Sequence, residues 1–222
     1  MDARRSAVLD ALGLERFELR RPAAEPSVAG ADDPSGFGWD ALERAVAGCT
    51  RCGLAATRTN TVFGVGNRAA RWLVIGEAPG AEEDRQGEPF VGRAGQLLNS
   101  MLRGVGLARE QVFIANVLKC RPPGNRDPLP EEVRCCLPYL HRQIALIDPA
   151  LIVCVGRIAA QNLLATETPI GKLRGRPHEL APFGIPVVVT YHPAYLLRSP
   201  GEKRKAWDDL RLAMEVARGR GA

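Results

Sequence analysis

Four side chains in this sequence stand where chemistry, rather than folding, would put them. Glu77 lies in Gly76-Glu77-Ala78-Pro79-Gly80, a tight turn directly after an apolar run, where backbone N–H groups approach a ligand closely and a carboxylate faces it. The acidic trio Glu82, Glu83 and Asp84 follows it. Phe90, in GEPFVG, places an aromatic ring ahead of a helical stretch, and such a ring can stack on a flat base. Asn116 interrupts the apolar run VFIANVLK, where a buried amide must find partners. Its carboxamide offers one donor and one acceptor group, the pair needed to read the edge of a pyrimidine. His192, just before Pro193, can donate a hydrogen bond to negative charge growing on a leaving group.

The cysteines form a second constellation. Cys49 and Cys52 make a CxxC, Cys120 follows far downstream, Cys135 and Cys136 are adjacent, and Cys154 sits inside the apolar run LIVCVG as a core residue. The scattered charges of residues 1–22 do not resemble a secretory signal, so the thiols are expected to be ligands, core residues or catalysts rather than disulfides. The CxxC, Cys120 and one of the adjacent pair supply four thiolates, enough for zinc or for an iron–sulfur cluster. A structural zinc site usually shows two short pairs. Here 15 residues separate Cys120 from Cys136, which favours a cluster spanning a loop.

The elements that must position these groups can be read from periodicity. RWLVIG (71–76), VFIANVLK (112–119), ALIVCVG (150–156) and IPVVVTYH (185–192) are nearly continuous apolar runs rich in β-branched residues, the signature of strands covered on both faces. Helical patterns alternate with them. WDALERAVAGC delivers the CxxC at its end, and GQLLNSMLRGVG has one apolar face. EEVRCCLPYLHRQIALI is expected to break at Pro138. EKRKAWDDLRLAMEVARG places Trp207, Leu210, Ala213, Met214 and Ala217 together. The alternation predicts a three-layer α/β/α domain around a mostly parallel four-stranded sheet. GEAPGAEED, KCRPPGNRDP, GRIAAQ and HPAYLLR then leave the C-terminal ends of the four strands, the edge where open α/β sheets bind ligands.

Length and charge narrow the class. At 222 residues, 45% hydrophobic and 25% charged, the chain can bury a core without disulfides, and no run of about 18 apolar residues suggests a membrane span. Residues 1–38 hold five arginines against seven acidic residues and include the Pro/Gly/Ala-rich stretch 21–38. They read as a leader and flexible linker ahead of a body over 39–222. With the whole chain at +5, that body carries the positive charge, which suits a polyanionic partner. The expected setting is the cytoplasm, with no membrane association.

GEAPGAEED, EPFVGRAGQLL, NVLKCRPPGNRDP with CLPYL, and HPAYLLR, in that order over roughly residues 39–218, resemble the family 4, iron–sulfur branch of the uracil-DNA glycosylases. The resemblance implies a monomeric base-excision repair enzyme that flips uracil out of DNA and hydrolyses its N-glycosidic bond. It implies a 4Fe-4S cluster on Cys49, Cys52, Cys120 and Cys136, choosing Cys136 over Cys135. Glu77 and Ala78 would line the uracil pocket, Phe90 stack on the base, Asn116 read its edge, and His192 bond the carbonyl that becomes anionic. Leu196 and Leu197 would lie at the minor-groove wedge, with Arg198 and Arg174 for phosphates. Ala78 occupies the position where a better-known branch carries an aspartate, so Glu77 or Asp84 is left to orient the water. Two rivals remain on the residues alone. One is a non-catalytic, zinc-stabilised nucleic-acid-binding module, and the other a glycosylase for a different deaminated base such as hypoxanthine.

Overall fold

The computed structural model describes residues 33–219. All but residues 33–38 of the expected leader and linker lie outside the described residues. Pro34–Gly36 form a 3-10 turn, and Arg142 Nε donates to the Phe37 carbonyl at 2.5 Å, so this short stretch is held by the body.

Each of the four apolar runs forms a strand, and a short strand flanks them on either side. In chain order the strands are β1 (Val65–Gly66), β2 (Trp72–Gly76), β3 (Phe113–Asn116), β4 (Leu151–Val155), β5 (Pro177–Leu180) and β6 (Ile185–Thr190). They are arranged β1-β3-β2-β4-β6-β5. The four central strands are mutually parallel, while β1 and β5 pair antiparallel at the edges. The sheet is therefore two strands wider than its apolar runs foretell. Val65–Gly66 has only two residues, and Pro177–Leu180 alternates exposed and covered positions, as an edge strand does.

The helices are α1 (Trp39–Ala47), α2 (Ala81–Gln86), α3 (Arg93–Gly104), α4 (Pro130–Ile147), α5 (Arg157–Leu163), α6 (Ile170–Leu173), α7 (Pro193–Arg198) and α8 (Lys203–Gly219). Leu42 and Val46 of α1, Leu140 and Ile144 of α4 and Ala160 of α5 pack on one face of the sheet. Leu98 and Leu102 of α3, with Leu210, Ala213 and Ala217 of α8, cover the other. Trp207 departs from the expected α8 stripe: it is 42% exposed and lies against Gly104.

Helix α4 also departs from expectation, running unbroken through Pro138. The ring costs the hydrogen bond to the Arg134 carbonyl, but Arg134 is on the exposed face, where water replaces it. The other face carries Cys136, Tyr139, Leu140 and Gln143 inward, so a continuous α4 holds one cysteine and the core on the same stripe.

Sheet register sets the site. Gly76 pairs with Asn116, so the turn after β2 and the carboxamide ending β3 stand side by side. The ladder continues beyond the strands, with Val117 N donating to Gly76 O at 2.9 Å and Leu118 N to Glu77 O at 3.0 Å. The chain passes from β2 to β3 on one side and then crosses to β4 on the other. The strand ends therefore diverge at β2, the switch point where α/β sheets open a crevice.

Candidate active site and four-cysteine cavity

A cavity of about 450 Å³ opens at this edge. Glu77, Ala78, Phe90, Asn116 and His192 line it together, joined by Tyr195 and Arg198 of α7 and by Arg126 and Asp127 of the loop after β3. No sequence pattern marks Tyr195 or Asp127. Tyr195 sits in the HPAYLLR segment between residues chosen as wedge and base contact, and Asp127 within CRPPGNRDP.

The floor is built on a missing side chain. A Cβ at Gly76 would stand 2.4 Å from Asn116 Oδ1 and 2.6 Å from Phe90 Cζ, so only glycine admits both groups. Phe90 has φ +54°, in the left-handed region. Its carbonyl lies where a side chain on residue 95 would be, 1.7 Å from the Cβ position of Gly95, so α3 begins directly against the Phe90 backbone. Asn116 is 2% exposed, and its Oδ1 is buried without a hydrogen-bond partner. An orphaned acceptor of this kind costs about 1–3 kcal/mol unless a ligand supplies a donor.

His192 caps α7, its Nδ1 accepting from Ala194 N at 3.1 Å. Burial, with Arg198 nearby, pushes the imidazole down to about 4 against the pull of Glu83. The ring is therefore neutral at pH 7, and because Nδ1 accepts, its proton sits on Nε2, free to donate. The Phe90 and His192 rings lie 5.7 Å apart between centroids and 30° from parallel. Burial and the neighbouring Asp127 push the Glu77 carboxyl up to about 7, with Arg157 opposing. Arg157 itself bonds Asp127 at 2.7 Å.

Asp84, Leu196 and Arg174, expected at the site, are engaged elsewhere. Asp84 does not line the cavity: its Oδ1 accepts from Thr59 N (2.9 Å) and Asn60 N (3.3 Å), clamping a distant loop. Glu83 likewise staples the first turn of the site, accepting from Gly80 N and Val91 N. Leu196 is 1% exposed and belongs to the interior, because a six-residue α7 presents one side to the protein and Leu196 falls on it; Leu197 is only half-buried. Arg174 is not available to phosphates. Its Nε bonds Asp209 Oδ2 at 2.7 Å, and its guanidinium lies 4.2 Å over the Tyr191 ring, which in turn meets Tyr195 at 5.0 Å. Arg198 is exposed at the rim.

Beside α1 and α4 a second, much smaller cavity of about 10 Å³ is lined by Cys49, Cys52, Cys120, Cys135 and Cys136 with Arg51, Arg58, Lys119 and Tyr139. All five cysteines are free thiols. Cys120 Sγ accepts from Arg58 Nη1 at 3.3 Å and Cys136 Sγ from Lys119 N at 3.2 Å. Cys135 does the reverse, its thiol donating to the Arg51 carbonyl at 3.2 Å. The two adjacent thiols thus face different partners, a backbone donor at Cys136 and a backbone acceptor at Cys135. Among the described residues no three such side chains close on a single metal ion. A four-iron cluster makes a different demand, one iron per thiolate, and four cysteines brought to one cavity from three chain segments match that donor set. Among the described residues no helix is long and apolar enough to cross a membrane.

Residues 63–211 match the family model of the uracil DNA glycosylase superfamily. The chain is 48% identical over 183 residues to the type-4 uracil-DNA glycosylase of Archaeoglobus fulgidus, covering 80% of this chain and 92% of that one. It is 44% identical to the Thermotoga maritima type-4 enzyme over 78% of this chain and 91% of the relative. A type-5 uracil-DNA glycosylase of Thermus thermophilus is 32% identical over 59% of this chain and 68% of its own.

Proposed function

The chain belongs to the type-4 uracil-DNA glycosylases, and from that premise we propose how its own residues excise uracil from DNA. The base enters the cavity at the end of β2 and β3 and stacks on Phe90, with Ala78 leaving room at its edge. The Asn116 carboxamide reads O4 and N3–H, its unpartnered Oδ1 accepting the N3 hydrogen. That orphaned, buried acceptor is the observation that carries the assignment, because a base with a donor there removes its cost.

Departure of the base leaves an oxocarbenium-like sugar and a uracil anion. The neutral His192 ring donates from Nε2 to the oxygen on which that charge gathers, contributing about 3–4 kcal/mol if well placed. An imidazole that stays neutral keeps its donor without introducing a proton to transfer. Glu77, ionised above about pH 7, orients the attacking water and faces the cationic sugar. Arg198 takes a flanking phosphate.

Cys49, Cys52, Cys120 and Cys136 would hold a 4Fe-4S cluster, and through those thiolates the 49–52 turn, the end of the β3 ladder and α4 would be tied together, a structural role. The enzyme acts as a cytoplasmic monomer, and residues 39–222 form its catalytic body.

The test is base release from an end-labelled oligonucleotide carrying one deoxyuridine, read after alkaline cleavage, with thymine and hypoxanthine controls. Cleavage at uracil alone, lost in His192→Ala and Asn116→Asp, is the expected result. A chain with four irons that releases no base overturns the assignment, and equal release of hypoxanthine overturns the role given to Asn116.

A further inference from the structure

Phe90 holds a backbone conformation that a bulky L residue keeps only when its neighbours compel it. Its φ is +54°, in the left-handed region, where Cβ crowds the following carbonyl oxygen. The ring faces the base pocket in that conformation, so the groups that fix the peptides on either side of Phe90 bear on the chemistry. After Phe90, the Val91 N–H donates to Glu83 at 3.1 Å. Before it, the constraint is Arg109.

Arg109 does not line the base pocket. It lies in the short turn Arg109–Gln111 ahead of β3, its side chain 16% exposed. Nη2 donates to the Pro89 carbonyl at 2.6 Å and to Glu88 Oε1 at 2.9 Å, while Nη1 donates to Asn99 Oδ1 of α3 at 3.2 Å. One planar fork therefore ties the loop before Phe90 to the helix after it, a span that the single nitrogen of a lysine does not offer. The Pro89 carbonyl is the contact that bears on the ring. It belongs to the same planar peptide as the Phe90 N–H, so holding it fixes the plane from which the φ of Phe90 departs. Glu88 is 46% exposed, and an ion pair so open to water contributes little by itself.

We propose that Arg109 is a positioning residue for the base-stacking ring, acting through the Pro89 carbonyl to hold Phe90 in its left-handed conformation against the flipped base. The inference rests on the stacking role given to Phe90 above. It also gives β3 a second task. The strand ends on Asn116, which reads the base, and it follows directly on the turn whose arginine sets the ring. Ring and carboxamide are thereby referred to one strand.

The experiment is a double-mutant cycle on the full-length chain, read as kcat/KM for an oligonucleotide carrying one deoxyuridine and corrected for the folded fraction. Arg109→Met keeps the stem and removes the fork. It should lower kcat/KM roughly tenfold, the ratio that corresponds to releasing one left-handed residue. In a Phe90→Leu background the same substitution should change kcat/KM by less than about twofold, because no ring is left to place. Glu88→Gln breaks the ion pair, leaves the carbonyl contact, and should cost no more than about threefold. An Arg109→Met chain at the wild-type rate overturns the proposal. So does a loss that persists undiminished in the Phe90→Leu background, as general loosening of the fold would give. An equal loss in Glu88→Gln does the same, since it would assign the effect to the ion pair. If Arg109→Met does not fold, Arg109→Lys enters the cycle under the same criteria, keeping the charge beside Glu88 and losing the fork. Phe90→Leu at the wild-type rate overturns the stacking role itself and the inference with it, an outcome distinct from the others.

Discussion

The sharpest prediction concerns pH. Glu77 and His192 face the same cavity, yet burial drives them in opposite directions, to about 7 and about 4. Above about pH 5 the histidine is largely neutral, while the carboxyl passes from acid to anion on either side of about pH 7. If the ionised Glu77 orients the water, single-turnover release of uracil from a single-stranded oligonucleotide must rise with pH and level off above about 7. At pH 5 a carboxyl with a pKa of about 7 is ionised to about 1%, so the rate there should be roughly a hundredfold below the plateau. Ionic strength must be held constant, because DNA binding depends steeply on salt. Glu77→Gln should flatten the profile near the low-pH rate. No second limb belongs between pH 5 and 8, since His192 does not titrate there. A wild-type profile that is flat over this range, or a slope that survives in Glu77→Gln, refutes the role given to Glu77.

Other outcomes follow from the same geometry. Gly76→Ala should lower kcat/KM for uracil by a factor of about 10² or more, because its Cβ displaces Phe90 or Asn116 by an ångström or so; wild-type rates would show that the floor yields. Leu196→Ala should cost about 2–5 kcal/mol in denaturant unfolding while leaving the activity of the folded fraction intact, as suits a core residue rather than a wedge. Arg174→Ala leaves Asp209, 1% exposed, without its partner and should destabilise by about 3–5 kcal/mol, with the salt dependence of DNA binding unchanged. Arg198→Ala should do the opposite, preserving stability and reducing the slope of log K against log salt by about 1.

What was legible in the sequence depended on whether a residue violated its surroundings. Asn116 stood out because an amide has no place in an apolar strand, and the structure leaves its oxygen unpartnered. The four parallel strands were legible for a similar reason, as apolar runs too continuous to have a wet face. Burial of a short helix was not. HPAYLLR offers a tyrosine and two leucines, and only the packing of α7 decides that Leu196 turns inward and Tyr195 lines the cavity. Charge was equally deceptive. Arg174 reads as one basic residue among many, because its partner Asp209 is 35 positions away and on another element. The acidic trio after GEAPG suggested catalysis, whereas Glu83 and Asp84 satisfy backbone N–H groups of neighbouring loops. Such roles depend on distant chain segments that no local pattern records.

The loop from Arg121 to Leu129 is anchored at both ends and free at its tip. Arg126 grips Glu132 with two hydrogen bonds, 2.9 and 2.5 Å long, and the same carboxylate accepts from Leu129 N at 2.8 Å. At its start, Arg121 Nε donates to Asn125 Oδ1. The tip, Pro123–Asn125, is exposed, while the loop's second half is held by Glu132 of α4 and by Arg157 of α5, which bonds Asp127 at 2.7 Å. Chain added at the tip would meet only the slowly growing entropy of loop closure, about 0.6 kcal/mol for each doubling in length. The rim of the pocket is thus a modular port. New residues can be grafted beside the base without retuning strand register, α4 or the cysteines, which makes this loop the natural starting point for a version of the enzyme with altered reach along DNA.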